Sequence, residues 1–360
     1  MLDLVGIRQT LHQIPERAFC EFKTQKYLLS ILKKIKNIKL HTLANSTGIL
    51  VEYSNGSGGY KLFRAEMDGL GIEEKTGLPF KSKEIGMMHA CGHDIHMATM
   101  IGFIEKIVEK EENINLLFLF QPAEEDIKGA KHIIKSGILD SFEIKRVYAM
   151  HVTSKYDVGE IATKKGTLFS VPMEFDIEII GKSAHAAFKN LGKNALKTAC
   201  EVVLEIEKIK KKNRVINIGK IVSGKVRNAV AERAIICGTH RNLTEKKSKQ
   251  TNLSIEKILK TVSQKNSCNY KIKYGQTTKP VVNNEKVYRE FKKSLPNNIK
   301  LREAKVNFTA DDFGLFTSLF KGLMFWIGSG ISQEDIHSSN FTPQDRVIQH
   351  GINIFYNLVK

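Results

Sequence analysis

Residues 114–120 form an almost wholly apolar run that stops just before Pro122, and this run constrains the fold more than any other segment. A strand that is apolar on both faces has to be covered on both, which places it inside a largely parallel sheet flanked by helices. Pro122 has no amide hydrogen to continue the pairing. Glu124 and Glu125 then fall just past the carboxyl end of the strand. Residues 61–65 lead in the same way to Asp68, residues 147–150 to His151, and residues 323–327 to a Gly-Ser-Gly turn and on to His337. Open α/β sheets hold their ligand sites beyond the carboxyl ends of their strands, so one sheet edge is expected to gather these polar groups.

The segment His89-Ala90-Cys91-Gly92-His93-Asp94 adds a thiol and an imidazole two residues apart, which an extended or loop segment can aim the same way. Adjacent carboxylates repel unless a cation or a shared proton offsets them. One of Glu124 and Glu125 can therefore act as a ligand while the other moves a proton. Each residue taken singly has a plainer reading. Cys91 could be a small buried hydrophobe, His93 a core histidine, and the glutamates the first turn of a helix. Jointly they call for a cation, because buried charges are paired or coordinate a metal. A closed structural zinc site is disfavoured, since such sites use four Cys or His ligands and no spare carboxylate.

At 360 residues the chain is long enough for two domains. Its formal charge of +18 raises a nucleic-acid or membrane-surface partner, but aromatic residues are only 8% of the chain and no recognition motif accompanies the lysines. The clusters at Lys33, Lys34, Lys36 and Lys39, at residues 208–212, and at Lys246, Lys247 and Lys249 sit around expected helix ends, as solvated faces do. No nucleic-acid or membrane partner is expected; the positive field would favour anionic substrates. Cys20, Cys91, Cys200, Cys237 and Cys268 are odd in number and widely spaced, so a reducing, cytoplasmic setting is expected rather than a disulfide framework. The amino terminus shows no signal-peptide pattern.

Residues 1–168 alternate strands and helices, with helices expected over 4–11 and 24–32, a strand over 48–53 and a hairpin turn at 55–59. Asp94 is a good N-cap for a helix carrying Met97, Ile101, Ile104 and Val108 on one face. The positive end of that helix would favour the Cys91 thiolate. From residue 171 the order becomes strand 173–180, helix 191–212, strands 215–222 and 232–237, helix 244–264 and strand 269–274. This is a ferredoxin-like α+β unit inserted into another domain. The expected domains are 1–168 and 278–360, together forming a discontinuous α/β domain with a mixed sheet, and the insert 169–277.

With these segments placed, the chain resembles the M20 metallopeptidases and amidohydrolases, in the branch that holds aminoacylases, hippurate hydrolases, auxin-conjugate hydrolases and N-acetyldiaminopimelate deacetylases. The resemblance runs through residues 11–16, Arg64-Ala65-Glu66-Met67-Asp68-Gly69-Leu70, residues 88–94 and 121–125, Gly181-Lys182-Ser183-Ala184-His185-Ala186-Ala187, and Asp311-Asp312-Phe313. It implies two divalent metal ions, zinc foremost with cobalt, nickel or manganese as alternatives, held by Cys91, His93, Glu125, His151 and His337, with Cys91 as the bridge. It implies Glu124 as general base and Asp68 as an aspartate that orients a ligand. The inserted domain would act as a lid that forms a homodimer and sends His185 into the partner's site, while Asn228 and Arg241 hold the carboxylate of an N-acyl amino acid. Glu66, Asp311 and Ser183-Ala184 depart from the family's usual aspartate, glutamate and Gly-Gly, and Asn228-Ala229-Val230-Ala231 lacks a common proline. Residues 21–28, 116–120, 159–164 and 324–328 look most like N-acetyldiaminopimelate deacetylases, which implies hydrolysis of N-acetyl-L,L-diaminopimelate to diaminopimelate and acetate in lysine biosynthesis. Hippurate hydrolase or general aminoacylase activity is the alternative within the class. A catalytically silent homologue that binds ligands or partners is the alternative outside it.

Overall fold

The computed structural model describes residues 2–209, 212–296 and 299–360. Lys210 and Lys211, part of the expected helix and of a lysine cluster, lie outside the described residues. The chain divides into two compact units, Met1–Leu168 with Val281–Lys305 and Asp311–Lys360, and Phe169–Pro280 with Val306–Ala310. Among the described residues no helix is long and apolar enough to cross a membrane.

The first unit begins with α1 (Leu4–His12), α2 (Phe22–Leu32), β1 (Lys39–Thr42), β2 (Ile49–Ser54) and β3 (Tyr60–Glu66). It continues through α3 (His93–Glu109), β4 (Asn115–Gln121), α4 (Gly129–Lys135), β5 (Ile144–Thr153), β6 (Ile161–Thr163) and β7 (Gly166–Thr167). In the second unit follow β8 (Val171–Ile180), α5 (Ala195–Glu207), β9 (Arg214–Ser223), β10 (Arg233–Asn242), α6 (Glu245–Lys265) and β11 (Asn269–Thr277). The chain then returns to the first unit with β12 (Val282–Asn283), α7 (Glu285–Ser294), β13 (Leu301–Glu303), α8 (Gly314–Leu319), β14 (Gly322–Gly328) and α9 (Arg346–Asn357).

The main sheet has the order β1-β2-β4-β3-β5-β14-β6-β13. Its central strands β4, β3, β5 and β14 run parallel, and antiparallel β2 beside β4 makes the sheet mixed. Strand β4 is buried along its whole length, as its apolar run requires. Phe63 at the centre of β3 meets Phe103 of α3 edge-on, with ring centroids 4.9 Å apart, and stacks on Tyr148 of β5 at 5.0 Å. Burying one such ring contributes roughly 2–3 kcal/mol. Helix α3 also packs against α9, and a Cβ on Gly102 would come within 2.4 Å of Ile352. A side chain there would force the Ile352 and Leu4 side-chain ends to shift.

Two local expectations are corrected. Residues 55–59 are not a hairpin turn, because β2 and β3 do not pair with each other; β4 lies between them. The loop crosses the start of β4, where the Asn115 side chain accepts the Gly56 amide hydrogen and donates to the Gly58 carbonyl. Asp94 is not the N-cap of α3; the cap is Gly92, two residues earlier and in the left-handed region. The Asp94 carboxylate is instead taken by Arg8 Nε at 2.7 Å and His12 Nδ1 at 2.9 Å, both from α1.

The second unit is a four-stranded antiparallel sheet of order β11-β8-β10-β9. Phe175, Ile177, Ile179, Ala234 and Ile236 form a core with Ala199, Val202 and Ile206 of α5 and Ile255, Leu259 and Val262 of α6. This β-α-β-β-α-β order is the ferredoxin-like arrangement expected. Helix α5 starts at Ala195 rather than Leu191, because Asn194 Oδ1 accepts the Lys197 amide hydrogen and caps it, after a 3₁₀ turn over Ala186–Leu191. Strand β10 runs on to Asn242, past a bulge between Cys237 and Gly238, so Arg241 lies within it.

Candidate metal centre

The carboxyl ends of the central parallel strands bring the expected residues together within the first unit. Asp68, two residues beyond β3 and buried, is the hub. Its carboxylate accepts the amide hydrogens of Glu124 at 3.1 Å and Glu125 at 3.0 Å, and its carbonyl accepts His93 Nδ1–H at 2.8 Å. A carbonyl can only accept, so the bond fixes the tautomer of His93 and leaves Nε2 facing the cluster. His151 lies inside β5 rather than past it, since pairing with β14 continues through Trp326. Its Nδ1–H donates to the Val152 carbonyl at 2.9 Å, which again leaves Nε2 free to ligate.

Cys91 Sγ lies 3.3 Å from both His151 Nε2 and His337 Nε2. Glu125 Oε1 lies 3.9 Å from His93 Nε2 and 3.7 Å from His337 Nε2. Ligand atoms around one tetrahedral zinc are separated by about 3.3–3.6 Å, given bonds of about 2.0–2.3 Å. Cys91, His93 and His151 form one group able to hold an ion, and Cys91, Glu125 and His337 form another, with the sulfur shared. His93 Nε2 and Glu125 Oε1 are buried with no hydrogen-bond partner. A divalent cation in each group would satisfy both, so the residues present fit a two-ion centre. Gly92 separates two of the candidate ligands at φ +80°, and a Cβ there would stand 2.4 Å from Val152. His337 also has a positive φ, +66°, and its amide donates to the Ala90 carbonyl at 2.7 Å. Non-glycine residues in that region cluster at functional sites.

Electrostatics agree with a site shaped for cations. Burial pushes the Cys91 thiol well above its ordinary pKa, and Glu125, Glu124 and Glu66 push it further. These effects oppose the help expected from the positive end of α3, and a metal ion would reverse the balance. Burial and then the neighbouring acids Asp311, Glu125 and Asp312 hold the Glu124 carboxyl well above the usual range, against the Arg64 charge. Burial raises Glu125 to about 7. Burial alone would lower His93, but the Asp68 carboxylate beside Nδ1 and the charges of Glu66 and Glu125 bring it to about 10.

A supporting network was not legible beforehand. Arg64 is buried in the middle of β3, where its guanidinium contacts Glu66 and donates to Asp311 Oδ1 at 2.9 Å, Asp312 Oδ1 at 2.8 Å and Gln121 Oε1 at 3.0 Å. Glu66 in turn accepts His96 Nδ1–H at 2.8 Å, and His96 Nε2 accepts the Val152 amide hydrogen at 3.1 Å, beside His151. The network's members Arg64, Glu66, Asp311 and Asp312 stand in motifs that carry the resemblance, but the only physical signal that they meet was a lone arginine in an apolar strand, which must be paired when buried.

His185, Asn228 and Arg241 belong to the second unit, and the structure does not bring all three together. The Ala186 amide donates to the Asn228 carbonyl at 2.9 Å and His185 bridges Ala229, so His185 and Asn228 are neighbours at an exposed end. Arg241 pairs with Pro172, whereas Arg233 pairs with Ile180 on the side of His185. Eight strand steps separate the two ends, roughly 26 Å. Arg241 Nη1 donates to the Phe308 carbonyl at 3.2 Å. Asn228 and Arg241 of one chain therefore cannot grip the same carboxylate.

The chain belongs to peptidase family M20/M25/M40, whose family model matches residues 62–360. It is 36% identical over 362 residues to an N-acetyldiaminopimelate deacetylase of Bacillus subtilis, covering 98% of this chain and 96% of that protein. It is 38% identical over 366 residues to an N-acetyldiaminopimelate deacetylase of Lactococcus lactis, covering 98% and 96%. The fold is that of a Bacillus subtilis protein described as a dinuclear metal binding peptidase from the M20 family, with a TM-score of 0.88 and 24% identity over 99% of this chain and 96% of that one.

Proposed function

We propose that this M20-family chain is a dinuclear metal-dependent amidohydrolase that removes the acyl group from N-acyl amino acids, with N-acetyl-L,L-diaminopimelate as its substrate. The observation that carries the reading is the pair of ligand groups sharing Cys91, with Glu124 close enough to His93 and Glu125 to reach a water held between them. The substrate rests on full-length relatives named N-acetyldiaminopimelate deacetylase.

Cys91, His93 and His151 would hold one ion and Cys91, Glu125 and His337 the other, and the pair supplies Lewis-acid polarisation of the amide carbonyl and a water of lowered pKa. Zinc suits the thiolate and imidazoles, and cobalt, nickel or manganese suit the mixed carboxylate set. Glu124 accepts the proton of the attacking water and returns it to the amine nitrogen as the amide C–N bond breaks. Asp68 keeps both glutamates and His93 in register through the three bonds described above. Arg64, through Glu66 and His96, steadies the backbone next to His151.

The second unit is assigned to substrate binding through His185, Asn228 and Arg241, and to homodimer formation. The separation of Arg241 from the other two favours a site completed by a second chain. Edge strand β9 supports the same reading, since it leaves Val215, Ile221 and Val222 exposed where a partner strand could cover them.

The test is an assay of the metal-reconstituted protein on N-acetyldiaminopimelate, hippurate and a panel of N-acetyl amino acids. Preference for N-acetyldiaminopimelate is expected. Preference for hippurate would move the chain to the aromatic-acyl hydrolases, and turnover of none would leave a silent homologue.

A further inference from the structure

Glu21, at the start of α2, is a buried carboxyl that the chemistry above leaves unused. Its Oε1 accepts two backbone amide hydrogens, from Phe19 at 3.0 Å and from Ala123 at 2.9 Å, and its Oε2 accepts the Thr47 hydroxyl. Phe19 and Ala123 are both in the left-handed region, at φ +61° and +55°. Non-glycine residues seldom adopt it, because Cβ crowds the following carbonyl. One carboxyl oxygen thus ties down two unfavourable peptides that lie a hundred residues apart in sequence.

Ala123 is the residue on which the chain turns away from β4. Strand β4 ends at Gln121, Pro122 has no amide hydrogen to give, and Ala123 is completely buried. The next three amides all point at carboxylates: Ala123 at Glu21, and Glu124 and Glu125 at the two oxygens of Asp68. Asp68 also serves His93, but Glu21 touches neither a candidate ligand side chain nor Glu124. Its bond to the Ala123 amide is with the backbone that aims them.

We infer that Glu21 is a positioning residue for the Glu124–Glu125 pair, because its carboxyl holds the left-handed Ala123 peptide from which both side chains are presented. The inference rests on the reading of Glu124 as proton carrier and Glu125 as metal ligand. Burial raises the Glu21 pKa to about 7, against the Thr47 bond that lowers it, so both protonation states occur near neutrality. An acceptor oxygen at Oε1 is present in either, and a glutamine amide oxygen can replace it.

The experiment uses the full metal-loaded chain for kinetics and the chelator-treated chain for amide hydrogen exchange. In the metal-saturated chain Glu21→Leu should lower kcat about tenfold or more with KM within about twofold, since small misplacements at a reacting centre are expensive in rate. It should also speed exchange of the amides of residues 123–125 about tenfold or more without metal, while Glu21→Gln leaves both measurements within about threefold. Ala123→Gly frees the left-handed turn from its penalty, so adding it to Glu21→Leu should restore kcat by about threefold or more, a coupling that independent defects would not show. Equal losses in Glu21→Leu and Glu21→Gln, purely multiplicative losses in the double variant, or unchanged exchange would each overturn the inference. Should Glu21→Leu not fold, Thr47→Val removes only the hydroxyl on Oε2 and enters the same cycle with Ala123→Gly. A wild-type chain that turns over no N-acyl amino acid would overturn the functional reading instead, and amide exchange alone would then decide the role of Glu21.

Discussion

The floor of the metal centre and the loops of the second unit that carry His185 and Asn228 are built in opposite ways. Around Asp68 and Arg64 nearly every polar group is buried and fixed by a second buried group, from the tautomer of His93 to the amides of both glutamates. His185 and Asn228 are exposed, and the contact between their segments is made by backbone groups. Cations demand that ligands be prearranged, because each deprotonated buried group is unfavourable until the ion arrives. A substrate-binding loop needs no such support in advance and can be completed by a partner surface.

If that contrast is right, substitutions on the two sides should separate metal binding from turnover. Glu124→Ala should lower kcat by about 10²–10⁴-fold with two metal ions per chain still present by elemental analysis. Loss of metal as well would make Glu124 a ligand and blur the distinction between the two glutamates. His185→Ala should lower kcat/KM by about 10²-fold without changing metal content or melting temperature. Mixing it with Glu124→Ala subunits should restore part of the activity, and no recovery after confirmed subunit exchange would place His185 in its own chain's site. Asp68→Ala should weaken metal affinity by about 10–100-fold, measured by competition with a chelator. The smallest effect is that of pH. Glu125 has its pKa raised to about 7, so protons compete for this ligand below that value and metal affinity should fall as pH drops from 8 to 6. A flat profile would mean that Glu125 does not ligate.

The same contrast explains what could be read from the residues alone. The apolar runs before Asp68, Glu124 and His337 announced a parallel sheet with polar groups on one edge, because burial on both faces leaves a period-free signature. The support network stayed hidden, since Arg64 meets Asp311 and Asp312 from the far end of the chain and no local pattern links them. Asp94 looked like a helix cap for the same reason: its partners Arg8 and His12 lie more than eighty positions earlier. The turn at residues 55–59 has hairpin composition, but insertion of β4 between β2 and β3 is a long-range event. Glu21 lies in one of the segments that carry the resemblance, but its positioning role gave no signal, because its partners are two distant backbone amides and the Thr47 hydroxyl.

Anomalous diffraction from crystals of the zinc-loaded protein, recorded above and below the zinc edge, addresses the central claim directly. Two peaks are expected in each chain, one bonded by Cys91, His93 and His151 and the other by Cys91, Glu125 and His337, with the sulfur common to both. A single peak, or two peaks that do not share Cys91, would contradict it.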